Sequence, residues 1–179
     1  YIHMGDAYRK LNDGGNAVSS YQNALQLDKK YAEAKYRIAK VYVTQGPEQK
    51  DVFLRYFNEA VEDDPKYSPA FYDLYTYYFT RDVYKAKGYF QQYQANADKG
   101  PALDYEEASL QFASSDFQTA ITKADELLAK QGENADPRLY RLKAYSYDQL
   151  KDSLNSIKNM ELFFLKANDK QILPENYVF

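Results

Sequence analysis

The stretch Tyr1-Ile2-His3-Met4-Gly5-Asp6-Ala7-Tyr8, followed after a polar break by Ala17-Val18-Ser19-Ser20-Tyr21-Gln22-Asn23-Ala24-Leu25, decides the fold of this 179-residue chain. Tyr1, Met4, Gly5 and Tyr8 stand at i, i+3, i+4 and i+7, which places them on one side of an α-helix. Ala17, Tyr21, Ala24 and Leu25 follow the related spacing i, i+4, i+7, i+8. Between them, Asn12-Asp13-Gly14-Gly15-Asn16 is strongly turn-forming. The segment therefore predicts two short helices joined by a tight turn.

The pattern returns along the chain, and internal repeats of 20–50 residues set an architecture before anything else does. Adding 34 to the first stripe gives Lys35, Ile38, Ala39 and Tyr42. Phe71, Leu74, Tyr75 and Tyr78 recur 34 positions later as Tyr105, Ala108, Ser109 and Phe112, and 35 further on as Tyr140, Lys143, Ala144 and Tyr147. Short polar turns follow each stripe: Gln45-Gly46-Pro47, Arg81-Asp82, Ser114-Ser115-Asp116 and Lys151-Asp152. Second helices come behind them, with Phe53, Phe57, Ala60 and Val61; Ala86, Phe90 and Tyr93; Ala120, Ala124, Leu127 and Leu128; and Ser156, Met160, Phe163 and Phe164. Asp64-Pro65, Lys99-Gly100-Pro101 and Asp136-Pro137 separate hairpins, since proline is tolerated at a helix start and breaks its interior. Pro137-x-x-Tyr140 recurs as Pro174-x-x-Tyr177, so a further hairpin is expected to begin there.

This series resembles the tetratricopeptide repeat family. The family motif places a large residue, a Leu-like residue, a small residue and Tyr along a first helix. Its second helix carries Ala, an aromatic and Ala, with Pro after it. Residues 1–28 fit best, and Phe57-x-x-Ala60-Val61 with Pro65 fits well. The later repeats depart from the motif: Tyr93, Leu127 and Phe163 stand where the family prefers Ala, and Lys143 where it prefers Leu. The resemblance implies an all-α fold, a right-handed α-solenoid of about five hairpins with a sixth begun. The approximate repeats are 1–31, 32–67, 68–100, 101–136 and 137–173, with 174–179 opening another, all in a single array. A lone hairpin cannot bury its apolar face, so stability comes from stacking neighbours. Gly5, Ala24, Ala39 and Ala60 allow close helix approach, and bulk added at Gly5 or Ala60 is expected to overpack by roughly 1–3 kcal/mol.

Composition narrows the function classes. Aromatics make up 17% of the chain, with 20 Tyr and 10 Phe, which is ample core material. The net charge of −3, from 23 basic and 26 acidic residues that are interspersed, gives no basic stripe for nucleic acid. No apolar run approaches the roughly 20 residues that span a bilayer, so this segment is not expected to insert into a membrane. Cysteine is absent, which removes thiol catalysis and Cys-ligated metal. His3 is the only histidine and has no second His to join it as catalyst or ligand. Glu62-Asp63-Asp64 reads as a solvated helix end, because adjacent residues do not converge as the staggered ligands of a calcium loop do. Asp13-Gly14-Gly15-Asn16 lacks the Gly-Lys-Ser/Thr ending of a phosphate loop. No catalytic residue, metal site or cofactor is expected, and the chain reads as a non-enzymatic scaffold.

In the tetratricopeptide family, first helices of successive repeats line a concave groove. By resemblance, the groove residues are Ile2, Asp6 and Arg9; Tyr36, Lys40 and Val43; Tyr72, Thr76 and Phe79; Glu106 and Leu110; and Arg138, Arg141, Tyr145 and Asp148. This aromatic, mixed-charge set suits a peptide or protein ligand, since Tyr and Arg are enriched at interface hot spots. Family members that hold acidic chaperone C-terminal tails use a Lys/Asn/Arg clamp. Here the corresponding positions hold Ile2 and Asp6, then Lys40, Thr76, Leu110 and Tyr145, so such tails are not expected to bind. Two other readings stay open: a structural, self-assembling segment, and a glycan-binding helical-repeat module of a cell-envelope system. The Tyr-rich, Cys-free, acidic composition favours a bacterial periplasm or envelope over the cytoplasm. A start at Tyr1 rather than Met, and an end that looks like an opening helix, suggest a piece of a longer bacterial protein.

Overall fold

The computed structural model describes residues 1–97, 101–168 and 170–172. Its described residues form ten α-helices and no strand. They are α1 (Ile2–Lys10), α2 (Gly14–Leu27), α3 (Ala32–Gln45), α4 (Lys50–Asp63), α5 (Ser68–Phe79), α6 (Val83–Asn96), α7 (Pro101–Ala113), α8 (Phe117–Gln131), α9 (Arg138–Gln149) and α10 (Ser153–Lys166). Consecutive helices pair into hairpins, as the repeat spacing predicts, and the fold is an all-α solenoid type. Packing divides the chain into two compact units, Tyr1–Asp98 and Lys99–Phe179. The expected break at Lys99-Gly100 and the expected sixth hairpin from Pro174 lie outside the described residues.

Two kinds of turn build the hairpins. Within a hairpin, an aspartate caps the second helix: Asp13, Asp82, Asp116 and Asp152 accept the backbone N–H of Asn16, Lys85, Thr119 and Asn155 at 3.1–3.2 Å. Each such bond satisfies one of the unpaired donors of a helix start. Asn12, Ser115 and Lys151 precede three of these caps with φ of 59–63°, the left-handed residue that ends the first helix. α4 is built differently. Gly46, at φ 120°, leads into a 3-10 turn at Pro47–Gln49, and only glycine adopts that backbone without strain. Between hairpins, the turn uses a side chain bonded two residues ahead. Asp28 accepts Lys30 N–H and Asp64 accepts Lys66 N–H, both at 2.9 Å.

In the first unit, Ala17, Tyr21, Ile38 and Val41 form one apolar cluster, and Phe53, Phe57, Ala60 and Leu74 anchor a second with Ala32, Ala39 and Ala70. Gly5 sits against the ring of Tyr21 so closely that a Cβ would overlap it. Tyr21 is fully buried, and its hydroxyl donates to Asp6 Oδ1 at 2.7 Å. Burial, and then this bond to a carboxylate, push its pKa up to about 12. In the second unit, Ala108, Ala124, Leu127, Leu139 and Leu142 form one cluster, and Ala144, Met160 and Phe163 another.

Stripe positions that hold lysine are rescued by carboxylates. Lys35 bonds Asp63 at 2.6 Å and Glu59 at 3.3 Å on α4, with only 14% of its side chain exposed. Burial opposes its charge, but the two carboxylates outweigh burial and raise its pKa. Lys143 pairs in the same way with Asp125 of α8. Two expectations need correction. Tyr1 and Met4, assigned to the packing stripe, are 58% and 44% exposed, because that stripe reaches the core through Gly5, against Tyr21, and Tyr8. Leu110, assigned to the groove, is buried. It lies seven residues from the buried Leu103 on the same line of α7, and that line faces the core.

Candidate functional site

The first helices of the first unit, α1, α3 and α5, carry the predicted groove positions Asp6, Arg9, Tyr36, Lys40, Tyr72, Thr76 and Phe79. The structure ties many of them to one another. Asp6 on α1 accepts Arg37 Nη1 of α3 at 2.7 Å. Arg37 also donates through Nε and Nη2 to Glu33 at 3.0 and 2.7 Å, and Tyr31 donates to the other Glu33 oxygen at 3.0 Å. One repeat later, Lys40 on α3 reaches Asp73 on α5 at 2.9 and 3.2 Å. Opposite charges thus bridge neighbouring first helices in both steps of the stack. These groups are 22–30% exposed, so each pair adds no more than about 1 kcal/mol to stability. Their main effect is to fix the helices' spacing and cancel charge.

Tyr36 does not stand free in the groove. Its ring meets Phe57 at 5.8 Å and Tyr67 at 5.4 Å, and Lys40 Nζ lies 5.9 Å from its centroid. Burial, and then the charge and hydrogen bonding of Asp73, hold its pKa well above the ordinary tyrosine value. Burial likewise lifts Tyr67 to about 12. Tyr36 therefore serves as the floor of the face rather than its contact surface.

What stays open lies along the outer edge. Val43 is 40% exposed and Tyr72 38%, and Arg9 and Thr76 are exposed. Tyr72 is held in place by ring contacts to Tyr93 at 5.0 Å and Tyr75 at 5.9 Å, and Phe79 packs edge-on against Tyr75 at 5.6 Å. An aromatic fixed in this way contacts a ligand with little further loss of rotamer freedom. Beside Arg9, a cleft of about 340 Å³ is lined by Asn12, Gly14, Val41, Thr44 and Gln45. Ile2, at the other end of α1, packs on the Ala17–Tyr21–Ile38–Val41 cluster.

In the second unit, the predicted positions Arg138, Arg141 and Tyr145 are occupied internally. Arg138 pairs with Asp136 at 2.6 Å and covers the Tyr105 ring at 4.2 Å. The bond to Asp136 outweighs desolvation and raises its pKa further. Arg141 lies over Phe163 at 5.3 Å and donates to the Gln171 carbonyl at 3.4 Å. Tyr145 packs on the Ala144–Met160–Phe163 cluster, and Asp148 is exposed.

Sequence reasoning missed Glu33, Arg37 and Asp73. A signal was there: Asp6 and Arg37 are 31 residues apart, and Lys40 and Asp73 are 33 apart, opposite charges about one repeat apart. Among the described residues no group of three His, Cys, Asp or Glu side chains could hold a metal ion, and none of their helices is long and apolar enough to cross a membrane. The face combines partly exposed, ring-packed aromatics with charges paired across the helices.

Residues 5–46 match a family model described as TPR repeat. No curated protein matches the sequence. Among solved structures, the chain is similar to MamA protein, with a TM-score of 0.74 and 19% identity over 97% of this chain and 96% of that one. It is also similar to YrrB, described as a TPR protein with an unusual peptide-binding site, with a TM-score of 0.77 and 16% identity over 96% of this chain and 87% of that one. A tetratricopeptide repeat protein from Parabacteroides merdae gives 0.67 and 17% over 93% and 64%. Residues 5–46 thus carry a TPR repeat, and the helical hairpins of the chain share the fold of these structures, tetratricopeptide repeat proteins among them.

Proposed function

We propose that this chain is a protein–protein interaction scaffold, without catalysis, whose first unit binds an extended peptide along α1, α3 and α5. The observation that carries this reading is the row Val43, Tyr72 and Thr76, open at the surface beside charges already paired across the helices. Interaction is what this repeat fold is generally used for, and the similar YrrB is described as having a peptide-binding site.

Internal neutralisation sets the kind of ligand. Asp6 already serves Tyr21 and Arg37, and Lys40 already serves Asp73. A peptide would therefore be selected for apolar and aromatic side chains, with Arg9 as the exposed charge on the row. Acidic chaperone tails fit poorly, because the Asp6 carboxylate stands where a clamp would need an uncharged or basic group. On composition, the place of action in this reading is the periplasm or envelope of a bacterium, which cell fractionation tests.

Selection of peptides from a random library on the intact chain, followed by calorimetry, tests the face. Tyr72→Ala combined with Thr76→Arg is expected to weaken a selected peptide by about tenfold or more, the loss of one hot-spot contact. If every selected peptide binds the double variant as it binds the parent, this face is not the site.

A further inference from the structure

One place in the repeat holds a ring in the second, third and fifth hairpins and is left open in the first. Two residues meet there, one from each helix of a hairpin. The second-helix member follows the helix cap at a fixed distance: Ala24 after Asp13, Ala60 after Gln49, Tyr93 after Asp82 and Phe163 after Asp152. In the second hairpin the ring comes from the first helix, because Tyr36 packs on Phe57 at 5.8 Å and edge-on against Tyr67 at 5.4 Å, in the cluster that holds Ala60. In the third, Tyr72 meets Tyr93 at 5.0 Å. In the fifth, Arg141 covers Phe163 at 5.3 Å.

The first hairpin has Ile2 and Ala24 in these places, and neither brings a ring. A cleft of about 310 Å³ remains, lined by Tyr1, Ile2, Ala24, Leu27, Asp28 and Tyr31. Its walls match the surroundings of Tyr36. Ala24 corresponds to Ala60 and Tyr31 to Tyr67, each 36 positions on, and Ile2 corresponds to Tyr36 itself, 34 positions on. Tyr31 is held in place by donating to Glu33 at 3.0 Å. The Asp28 carboxylate is turned to the Lys30 N–H at 2.9 Å, so the cleft presents mainly apolar and aromatic groups.

We propose that this cleft seats one aromatic side chain of the peptide that docks along α1, α3 and α5, in the place Tyr36 takes in the second hairpin. The assignment rests on the peptide reading of that face, since Ile2, Tyr36 and Tyr72 hold matching places on its three helices. A ring entering beside Tyr31 repeats the edge-on contact of Tyr36 with Tyr67, a geometry aromatic pairs prefer. An aliphatic side chain would gain only the burial of its apolar surface. The ligand class is therefore a peptide with Tyr or Phe at the α1 end of the face.

N-acetyl-tyrosinamide is the probe, with N-acetyl-leucinamide as its comparison, and amide chemical shifts of the intact chain are the readout. The tyrosine probe is expected to move Ala24, Leu27 and Tyr31 most, and to bind at least about threefold more tightly than the leucine probe. Ile2→Tyr supplies the ring from the chain itself and should abolish those shifts with the melting temperature kept or raised. Leu27→Asp, at a position 79% exposed whose counterpart is Asp63, should weaken probe binding without touching the core. Equal binding of the two probes, an unmoved cleft, or shifts that survive both variants would overturn the proposal. So would cleft shifts that grow with protein concentration alone, which would assign the cleft to a second copy. For peptides selected on the intact chain, Ile2→Tyr should cost about tenfold in affinity. Peptides that ignore Ile2→Tyr but weaken with Tyr72→Ala plus Thr76→Arg would overturn this seat and leave the face standing. Peptides that ignore both would overturn the face as well.

Discussion

Replacing Gly5 with alanine adds one methyl group where α1 presses against the Tyr21 ring of α2. Helix propensity alone favours the change by about 1 kcal/mol. The structure points the other way, because the new Cβ would overlap three atoms of the Tyr21 ring. That ring is fully buried and cannot swing into solvent. Overpacking of this kind costs about 1–3 kcal/mol. If the ring slides far enough to break its bond to the Asp6 carboxylate, a further 1.5–3 kcal/mol or so is lost. The net expectation is a loss of about 1 kcal/mol with the bond kept and about 3 kcal/mol with it broken, summing these terms. For a unit of this size each kcal/mol lowers the melting temperature by about 4–8 °C. Urea and thermal denaturation of Gly5→Ala measure it, with Gly88→Ala as the control. Gly88 is exposed in α6 with no atom within 4 Å of an added Cβ, so its substitution should gain up to about 1 kcal/mol. In a Tyr21→Leu background the Gly5→Ala penalty should shrink. A Gly5→Ala protein as stable as the parent would refute the contact.

Further expectations concern titration and charge. Tyr21 and Tyr67, raised to about 12 in the fold, ionise near 10 once unfolded. They therefore contribute stability below pH 10 that is lost as pH rises to about 12, and tyrosinate absorbance should show a late step coincident with unfolding. The Asp13 and Asp152 carboxyls are held below their ordinary value by the side-chain and then backbone N–H of Asn16 and Asn155. Their contribution is present above about pH 4 and lost as pH falls through the depressed values, so Asp13→Asn should flatten acid melting as followed by circular dichroism. Asp73→Ala leaves Lys40 without its partner across the helices and should cost about 1 kcal/mol in urea denaturation, while lowering the pKa of Tyr36. Unchanged stability and an unchanged Tyr36 titration would show that Asp73 does not govern that corner.

The hairpins were legible because their signal is periodic. Stripes at i, i+4 and i+7 repeat at 34–37 residues, and helix positions follow from spacing with little help from packing. Polar breaks such as Ser114-Ser115-Asp116 located the turns because capping chemistry is local. The face was less legible. Position on a helix tells which line a residue occupies, but that line's neighbours belong to other repeats. The resemblance assigns Leu110 to the groove, but it turns inward with Leu103 on the same line of α7. Tyr36 reads in sequence as a groove residue, yet its ring packs on Phe57 and Tyr67. Arg138 and Arg141 look like free cations in sequence, yet Arg138 pairs with the neighbouring Asp136 and covers the Tyr105 ring of α7, and Arg141 meets the Phe163 ring and the Gln171 carbonyl. The pairing of Asp6 with Arg37 was written in the sequence, but only at the spacing of a whole repeat.

The central claim is that the α1–α3–α5 face of the first unit is where a peptide docks. Amide chemical shifts of the intact chain, recorded as a library-selected peptide is added, test it most directly. The account predicts that the largest shifts cluster at Val43, Tyr72 and Thr76, with Arg9 joining them and α10 unchanged. Shifts concentrated on α9 and α10, with Val43, Tyr72 and Thr76 unmoved at saturation, would contradict it.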